Sequence, residues 1–256
     1  MNDTDRELAR RVFGCIDNTT LNATDNEESV RAFCRRTRAM QLADGTTVVA
    51  VCVYPSLVHA AVSSLKGSGI RVVSVAGAFP HGQSPLPLRV QEVRHAVEQG
   101  ADEVDIVLNR GAMLAGDYDR VGEEVAAMRD ACRGRILKVI LETGELGCLV
   151  SEAAKVAIAA GADFIKTSTG KSGTGATPEA ADTMLRVIAE NVKINKKTVG
   201  FKAAGGIGTV DEALLYARMA KKILGDKYID NHTFRIGTSR LTDQLYANLT
   251  IQTASV

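Results

Sequence analysis

ADFIK (162–166) and TVGFK (198–202) are short apolar runs of β-strand character, and the segment between them carries apolar residues at helical spacing. Six more runs of this kind occur along the chain, which makes eight: FGCID (13–17), TTVVAVCV (46–53), VVSVA (72–76), EVDIVL (103–108), ILKVILE (136–142) and TFRIG (233–237). Apolar strands that alternate with amphipathic helices indicate a parallel sheet covered by helices, and eight such units close a (β/α)8 TIM barrel. A doubly wound open sheet is the alternative that this pattern leaves.

Two further segments, 4–12 and 27–40, have helical character, and the first predicts an extra N-terminal helix ahead of the first strand. The 256-residue chain has no linker rich in Pro, Gly or Ser. Barrels of ~250 residues commonly form one domain. We therefore predict a single α/β barrel domain over residues 1–256.

The composition, 45% hydrophobic and 24% charged, is that of a globular protein. A net charge of +1 gives no long-range field, so we expect neither nucleic acid nor a membrane as a partner. No stretch reaches the ~18 apolar residues of a membrane span, and the charged segment 1–14 does not resemble a secretory signal. The five cysteines show no zinc-ligand spacing. These features predict a cytoplasmic protein with reduced thiols and no metal.

Three charged residues lie at or near strand ends, where the active site of a barrel is built. Asp105 interrupts EVDIVL, Lys166 ends ADFIK and Lys202 ends VGFK. A lone charge in a strand buried on both faces would cost several kcal/mol, whereas an aspartate and two lysines can compensate one another. A structural ion-pair cluster and a catalytic cluster both fit these positions.

Two neighbouring lysines also make a particular chemistry available. A free lysine has a pKa of ~10.4 and is protonated at neutral pH, hence not nucleophilic. Burial and an adjacent ammonium both favour the neutral form, so Lys202 is a candidate activator of a nucleophilic Lys166. Asp105 can then carry protons during carbinolamine formation and carbon–carbon cleavage.

Glycine-rich loops follow the last three predicted strands, and they indicate an anion site. They are TSTGKSGTG (167–175), AAGGIGT (203–209) and GTS (237–239), the last leading directly into a helix. Glycines let backbone N–H groups approach an anion, and barrels often bind phosphate with the loops after strands 7 and 8. Lys171 adds a cation. We predict a phosphate site here.

Asp17, Thr19 and Asn22 follow the first strand run. Asp17 could pair with Lys202 and support the site, whereas the other two are more typical of turn chemistry. Other residues near strand ends receive weaker interpretations. We expect Cys52 to be an inert core thiol and His81 in FPHG to be part of loop architecture; the position of Glu142 does not decide between the mouth and a structural role.

The chain resembles the deoxyribose-phosphate aldolase family from about residue 4 to about residue 245. The matching segments are CIDNTTLN (15–22), VCVYP (51–55), FPHG (79–82), GADEVDIVLNRGAMLAGDY (100–118), LKVILETGEL (137–146), GADFIKTSTGK (161–171) and VGFKAAGGIGT (199–209). The combination of GADFIKTSTGK with GFKAAGG is highly specific for this family.

The resemblance implies a class I, Schiff-base lyase of deoxynucleoside catabolism that cleaves 2-deoxy-D-ribose 5-phosphate to D-glyceraldehyde 3-phosphate and acetaldehyde, without a metal or organic cofactor. Lys166 would form the Schiff base, Lys202 would perturb it and Asp105 would carry protons. The phosphate-binding residues would be Lys171, Gly205, Gly206, Gly237, Thr238 and Ser239. The alternatives are another Schiff-base phosphosugar aldolase and a non-catalytic phosphosugar-binding barrel, and the sequence leaves open whether the protein forms a homo-oligomer.

The chain departs from the family at two places. Some relatives have an arginine where this chain has Gly208, which places more weight on Lys171 as the phosphate cation. Some also end in a tyrosine on a mobile tail, whereas this chain ends QTASV (252–256) and its last tyrosine, Tyr246, falls in a predicted helix. Proton transfer is then expected to depend on Asp105, water or another group.

Overall fold

Eight parallel strands pair in chain order, and the eighth closes on the first, so the sheet is a barrel and not a doubly wound open sheet. The computed structural model describes residues 1–250. The strands are β1 (Ile16–Thr19), β2 (Ala50–Val53), β3 (Arg71–Ala76), β4 (Glu103–Val107), β5 (Ile136–Ile140), β6 (Phe164–Lys166), β7 (Gly200–Ala204) and β8 (Phe234–Thr238). The (β/α)8 prediction is confirmed.

Helices connect the strands and cover the outside of the barrel. They are α1 (Asp3–Phe13), α2 (Glu27–Ala39), α3 (Val58–Leu65), α4 (Leu86–Glu98), α5 (Arg110–Leu114), α6 (Tyr118–Ala131), α7 (Thr143–Leu146), α8 (Val150–Ala159), α9 (Pro178–Asn195), α10 (Val210–Leu224) and α11 (Leu241–Thr250). The predicted N-terminal helix is α1, which begins where the Asn2 side chain accepts the N–H of Asp5 at 2.8 Å. Its apolar residues Val12 and Phe13 are buried. An N-terminal cap of this kind satisfies a backbone donor that the helix itself leaves free.

Several strands are shorter than the apolar runs that predicted them. The run 46–53 contributes only Ala50–Val53 to the sheet, because residues 44–46 form a turn in which the Asp44 carboxylate accepts the N–H of Thr46 at 2.9 Å. The run 13–17 likewise begins in the last residue of α1. Backbone groups held by local hydrogen bonds are not available to a neighbouring strand.

The barrel interior is divided between an apolar sector and a charged sector. Strands β2 and β3 contribute the apolar group Ala50, Cys52, Val73 and Val75. The other strands place charged side chains inside the barrel, as described below. Gly200 on β7 is required by packing, because a Cβ there would lie 2.2 Å from the ring of Phe164 on β6.

No helix within residues 1–250 is long and apolar enough to cross a membrane. Four cysteines in this part of the chain are buried, Cys148 is exposed, and all five are free thiols.

Candidate active site

Strand register brings Lys166 and Lys202 side by side in the barrel. The two residues are direct partners across β6 and β7. Both ammonium groups donate to the same oxygen of Asp105: Lys166 Nζ lies 2.9 Å and Lys202 Nζ lies 2.8 Å from Asp105 Oδ2. The structure therefore assembles the three residues that the strand ends singled out.

Asp105 is completely buried and ionised in this arrangement. Burial alone would raise the pKa of its carboxyl group, but Lys138, Lys166 and Lys202 together hold that pKa well below its usual range. Its second oxygen, Oδ1, accepts a hydrogen bond from Lys138 Nζ at 2.9 Å. The carboxylate thus joins three ammonium groups at one point.

The two neighbouring lysines have opposite pKa shifts. For Lys166, burial lowers the pKa, Asp105 opposes the shift, and the charge of Lys202 lowers it further, so the pKa falls below its ordinary value. For Lys202, burial also lowers the pKa, but two carboxylates, Asp105 and Asp17, outweigh it and raise the pKa above its ordinary value. Lys166 is therefore the lysine that loses its proton first.

Asp17 lies under Lys202 and accepts a hydrogen bond from its ammonium group. The other carboxylate oxygen accepts from Arg235 Nη1 at 2.6 Å. Asp17 is fully buried, and Lys202 and Arg235 overcome the effect of burial and lower its pKa. The predicted pair between Asp17 and Lys202 is present.

Three further charged residues complete the cluster, and sequence reasoning did not single them out. Lys138 Nζ lies 2.5 Å from Glu103 Oε2. Arg235 Nη2 donates to Glu103 Oε1 at 2.7 Å, and its guanidinium carbon lies 5.3 Å from the ring centroid of Phe164. The sequence carried a signal for them, because Lys138 and Arg235 interrupt apolar strand runs as Asp105 does, and Glu103 begins the run that contains Asp105.

We call this set the interior charge cluster: Asp17, Glu103, Asp105, Lys138, Lys166, Lys202 and Arg235. It contains four cations and three carboxylates, so it carries one excess positive charge when every group is ionised. Deprotonation of Lys166 would balance it. Burial and the charge of Lys202 lower the pKa of Lys166, so it is the lysine of the cluster that loses its proton most readily.

A cavity of about 220 Å³ opens above Lys166 at the carboxyl ends of the strands. Lys166 is 4% exposed, whereas Lys138 and Lys202 are fully enclosed. The lining residues that the structure describes include no aspartate or glutamate, and they comprise Thr19, Thr20, Leu21, Asn22, Lys166, Thr169, Gly170, Lys171, Ala204, Gly205, Gly206, Ile207, Gly237, Thr238, Ser239 and Arg240. The mouth is therefore cationic and rich in glycine, as an anion site requires.

The glycines of the cavity are required by the backbone and by close packing. Gly205 and Gly206 have φ of 91° and 83°, in the left-handed region that favours glycine. A Cβ on Gly205 would also lie 3.0 Å from the Cα of Gly175. Gly237 makes room for a catalytic candidate, since a Cβ there would lie 3.0 Å from Cε of Lys202.

Lys171 reaches across the cavity mouth and donates from Nζ to the carbonyl of Leu21 at 2.5 Å. Its backbone N–H donates to Thr169 Oγ1 at 3.0 Å. Thr169 Oγ1 in turn donates to Glu142 at 2.5 Å. Glu142 is buried, lies 3.6 Å from Arg110, and has a left-handed backbone with φ of 58°. It therefore positions the loop that carries Lys171 and is a supporting residue at the mouth.

The β8 loop places three residues at the cavity. The hydroxyl of Thr238 donates to the carbonyl of Ile207 at 2.8 Å and accepts the N–H of Leu241 at 3.1 Å, so it is occupied in shaping the loop and beginning α11. Ser239 and Arg240 are exposed. Sequence reasoning missed Arg240, because nothing in the chain marks its side chain as turning toward Gly208.

The remaining candidates fall into two groups. Thr19 and Asn22 line the cavity, and Asn22 also belongs to a turn in which its N–H donates to Asp25 at 2.9 Å. Cys52 is buried away from the lining, and burial raises the pKa of its thiol to about 11, as befits an inert core residue. The carbonyl of His81 accepts from Arg110 at 3.1 Å within the FPHG loop.

Tyr246 lies inside α11, as predicted, and its hydroxyl donates to the carbonyl of Gln41 at 3.2 Å. The terminal segment QTASV (252–256) lies outside the described residues.

Comparison with known proteins shows which family the chain resembles. The sequence model described as DeoC/LacD family aldolase matches residues 12–237, which include every residue of the interior charge cluster. Deoxyribose-phosphate aldolase of Mus musculus is 44% identical, over 92% of this chain and 80% of its own. Deoxyribose-phosphate aldolase of Homo sapiens is 41% identical with the same coverage.

A solved structure shares the fold. The tetrameric deoxyribose phosphate aldolase from Aeropyrum pernix superimposes with a TM-score of 0.73 at 27% identity, over 96% of this chain and 93% of its own. With a matching barrel and a family match over most of its length, the chain belongs to the DeoC/LacD family of aldolases and is a carbon–carbon lyase.

Proposed function

We propose that this aldolase cleaves 2-deoxy-D-ribose 5-phosphate reversibly to D-glyceraldehyde 3-phosphate and acetaldehyde through a Schiff base on Lys166. One observation carries the proposal: Lys166 is the lysine of the interior charge cluster that opens to the cavity, and its pKa is lowered. Lys138 and Lys202 are enclosed and have raised pKa values. Nucleophilicity and access therefore coincide at one residue.

Covalent catalysis begins with the neutral amine of Lys166. Its Nζ attacks the aldehyde carbon of the open-chain sugar and forms a carbinolamine, which loses water to give an iminium ion. The proton of the C3 hydroxyl is then removed, the C2–C3 bond breaks, and its electron pair moves into the iminium to form an enamine. Glyceraldehyde 3-phosphate leaves, C2 of the enamine is protonated, and water releases acetaldehyde from Lys166.

Asp105 is the proposed proton carrier, and its environment defines how it can act. Its carboxylate accepts hydrogen bonds from three ammonium groups, and its low pKa keeps it ionised at rest. It can hold a proton only transiently. Its carboxylate also lies 2.9 Å from the Nζ that becomes an iminium, so it stabilises the positive charge of that intermediate electrostatically.

The cationic, glycine-rich mouth would receive the phosphate group. Lys171 supplies a charge, and Gly205, Gly206 and the β8 loop supply backbone at close range. Gly237 and Thr238 would contribute through the shape of the loop, since the Thr238 hydroxyl is already bonded within the protein. Phosphate at this end fixes the sugar chain with its aldehyde toward Lys166.

Reductive trapping tests the covalent step. Acetaldehyde and borohydride should add an ethyl group to Lys166, found by peptide mapping, and deoxyribose 5-phosphate should be cleaved at full rate in EDTA. Trapping without cleavage of deoxyribose 5-phosphate would point to another Schiff-base aldolase. Absence of any adduct would point to a phosphosugar-binding barrel without turnover, and an adduct on Lys202 would reverse the assignment.

Lys171→Ala tests the phosphate site. Removal of a charged hydrogen-bond partner costs about 1.5–3 kcal/mol, or ~10- to 150-fold in binding. The loss should appear in kcat/KM for deoxyribose 5-phosphate and not for deoxyribose. Equal losses on the two substrates would show that Lys171 does not bind phosphate.

Two broader features are part of the same proposal. The protein works in the cytoplasm without a metal, and it forms a homo-oligomer, as the tetrameric relative from Aeropyrum pernix suggests. Light scattering of the purified protein measures the assembly directly, and a mass equal to the 27.2 kDa chain would contradict it.

A further inference from the structure

Arg240 lies at the edge of the cavity, between β8 and α11. A Cβ built on Gly208 would lie 3.8 Å from Nη2 and 3.9 Å from both Nε and Cζ of Arg240. The guanidinium therefore lies against the β7 loop at Gly208. A side chain longer than alanine at position 208 would enter the space that the guanidinium occupies.

The guanidinium of Arg240 has no carboxylate partner among residues 1–250, in contrast to the other arginines near the barrel mouth and interior. Arg110 and Arg235 are both held by carboxylates. Glu212 is close enough for the charge of Arg240 to help lower the pKa of its carboxyl group, but its Oε2 accepts the N–H groups of Gly208 at 2.8 Å and Thr209 at 3.0 Å. The backbone N–H at Gly208 is thus already used, whereas the guanidinium of Arg240 forms no ion pair within residues 1–250.

Arg240 also occupies a position that is unfavourable for the free protein. It directly precedes α11, a ten-residue helix whose first N–H, at Leu241, is capped by Thr238. The N-terminus of a helix carries partial positive charge, so a cation there is repelled. A bound anion would satisfy both the helix terminus and the guanidinium.

We infer that Arg240 binds the phosphate group of the substrate together with Lys171 and makes the enzyme selective for phosphorylated sugars. This inference rests on the proposed function and adds to it a residue that the sequence did not indicate. A guanidinium presents two parallel N–H groups that match two phosphate oxygens, whereas the ammonium of Lys171 is a point charge. The two cations therefore fix orientation as well as affinity.

Arg240→Gln removes the charge and keeps most of the side-chain length. We expect kcat/KM for deoxyribose 5-phosphate to fall ~10- to 100-fold, chiefly through KM. For unphosphorylated deoxyribose, kcat/KM should change less than about twofold, because a side chain that contacts only the phosphate group cannot stabilise a substrate that lacks it. Arg94→Gln, at an exposed position of α4, is the matched control and should leave the ratio of the two substrates unchanged.

Moving the positive charge from position 240 to position 208 separates phosphate binding from a structural role of Arg240. Gly208 does not have positive φ, so an arginine fits its backbone, and its Cβ would start beside the vacated guanidinium space. The double variant Arg240→Gln, Gly208→Arg should regain at least about tenfold in the ratio of the two substrates. Equal losses on both substrates in Arg240→Gln, or no loss on either, would overturn the inference.

Calorimetric titration with inorganic phosphate gives a readout that does not need turnover. If the wild-type protein fails to cleave deoxyribose 5-phosphate, the proposed function fails, and the titration still decides the role of Arg240. Weaker phosphate binding in Arg240→Gln than in Arg94→Gln would support the anion site. Equal binding in the two variants, or no binding by the wild-type protein, would refute it.

Discussion

Lys138 and Lys166 are lysines of the same barrel interior on adjacent strands, and their surroundings give them opposite properties. Lys138 lies level with Phe164, one inward-facing position deeper than Lys166. It contacts the carboxylates of Glu103 at 2.5 Å and Asp105 at 2.9 Å, and Asp17 lies 3.6 Å away. Within residues 1–250, the ammonium of Lys166 forms an ion pair with one carboxylate, that of Asp105, at 2.9 Å.

The number of carboxylates around each ammonium decides the difference. Burial lowers the pKa of both lysines, but around Lys138 the three carboxylates outweigh it and raise the pKa, whereas the single carboxylate beside Lys166 does not. Lys138 is therefore held as an ammonium by its carboxylates, whereas Lys166 has the lowered pKa that the proposed nucleophile requires. Charge count, and not residue type, separates the two roles.

The largest expected effect comes from exchanging Lys166 for methionine, which preserves length and removes the amine. Turnover should fall by more than about 10³-fold, since a covalent nucleophile contributes at least as much as a general acid or base. The unfolding free energy should stay within about 1 kcal/mol of wild type, because Asp105, the carboxylate that Lys166 contacts, keeps Lys138 and Lys202 as hydrogen-bond partners. A large loss of stability would show that Lys166 is structural, like Lys138.

Lys138→Met, in contrast to Lys166→Met, should strongly lower the free energy of unfolding. Removing one partner from a buried ionic cluster costs about 3–5 kcal/mol, so urea unfolding should begin at a much lower concentration. Lys155→Met, at an exposed lysine on α8, is the control and should change stability by less than about 0.5 kcal/mol. If Lys138→Met is as stable as the control, the ion pairs of Lys138 do not stabilise the fold.

The sequence predicted the barrel and the pair of lysines. It did not predict the functional residues whose positions depend on contacts between strands that are distant in the chain. Apolar runs identify strands, yet Glu103 and Arg235 are charged residues of such runs, and they pair only because the closed barrel places β4 and β8 around one interior. Arg240 depends on a side-chain direction that no pattern encodes. Strand ends differed because local turns, such as that at Asp44, compete with the sheet.

Acid should destabilise the part of the interior charge cluster formed by Glu103, Lys138 and Arg235. Burial alone would raise the pKa of Glu103, but Lys138 and Arg235 lower it to about 2. A carboxyl with a folded pKa below its unfolded value of ~4.3 contributes stability that is present above about pH 4 and is lost as pH falls toward 2. The urea midpoint should therefore drop between pH 5 and pH 2.5.

Glu103→Gln provides the test of that assignment. The variant should be less stable than wild type at pH 6, because Arg235 and Lys138 lose an ionised partner. Its further loss between pH 5 and pH 2.5 should be smaller than that of wild type, whereas Glu152→Gln on the surface should follow wild type. Parallel curves for wild type and Glu103→Gln would assign the acid sensitivity to other groups.

The smallest and most discriminating effect concerns Lys202, which shares Asp105 Oδ2 with Lys166. If its positive charge depresses the pKa of Lys166, Lys202→Leu removes a repulsion and leaves Lys166 as the one lysine that donates to Asp105 Oδ2 among residues 1–250, and both changes raise that pKa. We expect an increase of about 1–2 pKa units from one close charge in a poorly hydrated site. The neutral amine then forms only at higher pH, so the pH profile of borohydride trapping should move to alkali, and activity lost at pH 7 should partly return there. Leucine also makes the site more apolar, which favours the neutral amine, but this change is small because Lys202 is already completely buried.

Lys202→Arg keeps the charge and should keep the trapping profile closer to wild type, even where its shape reduces turnover. If Lys202 acts mainly by transferring protons, both variants would lose turnover while the trapping profile stays where it is, and the electrostatic contrast between Lys138 and Lys166 would then rest on burial and carboxylates alone.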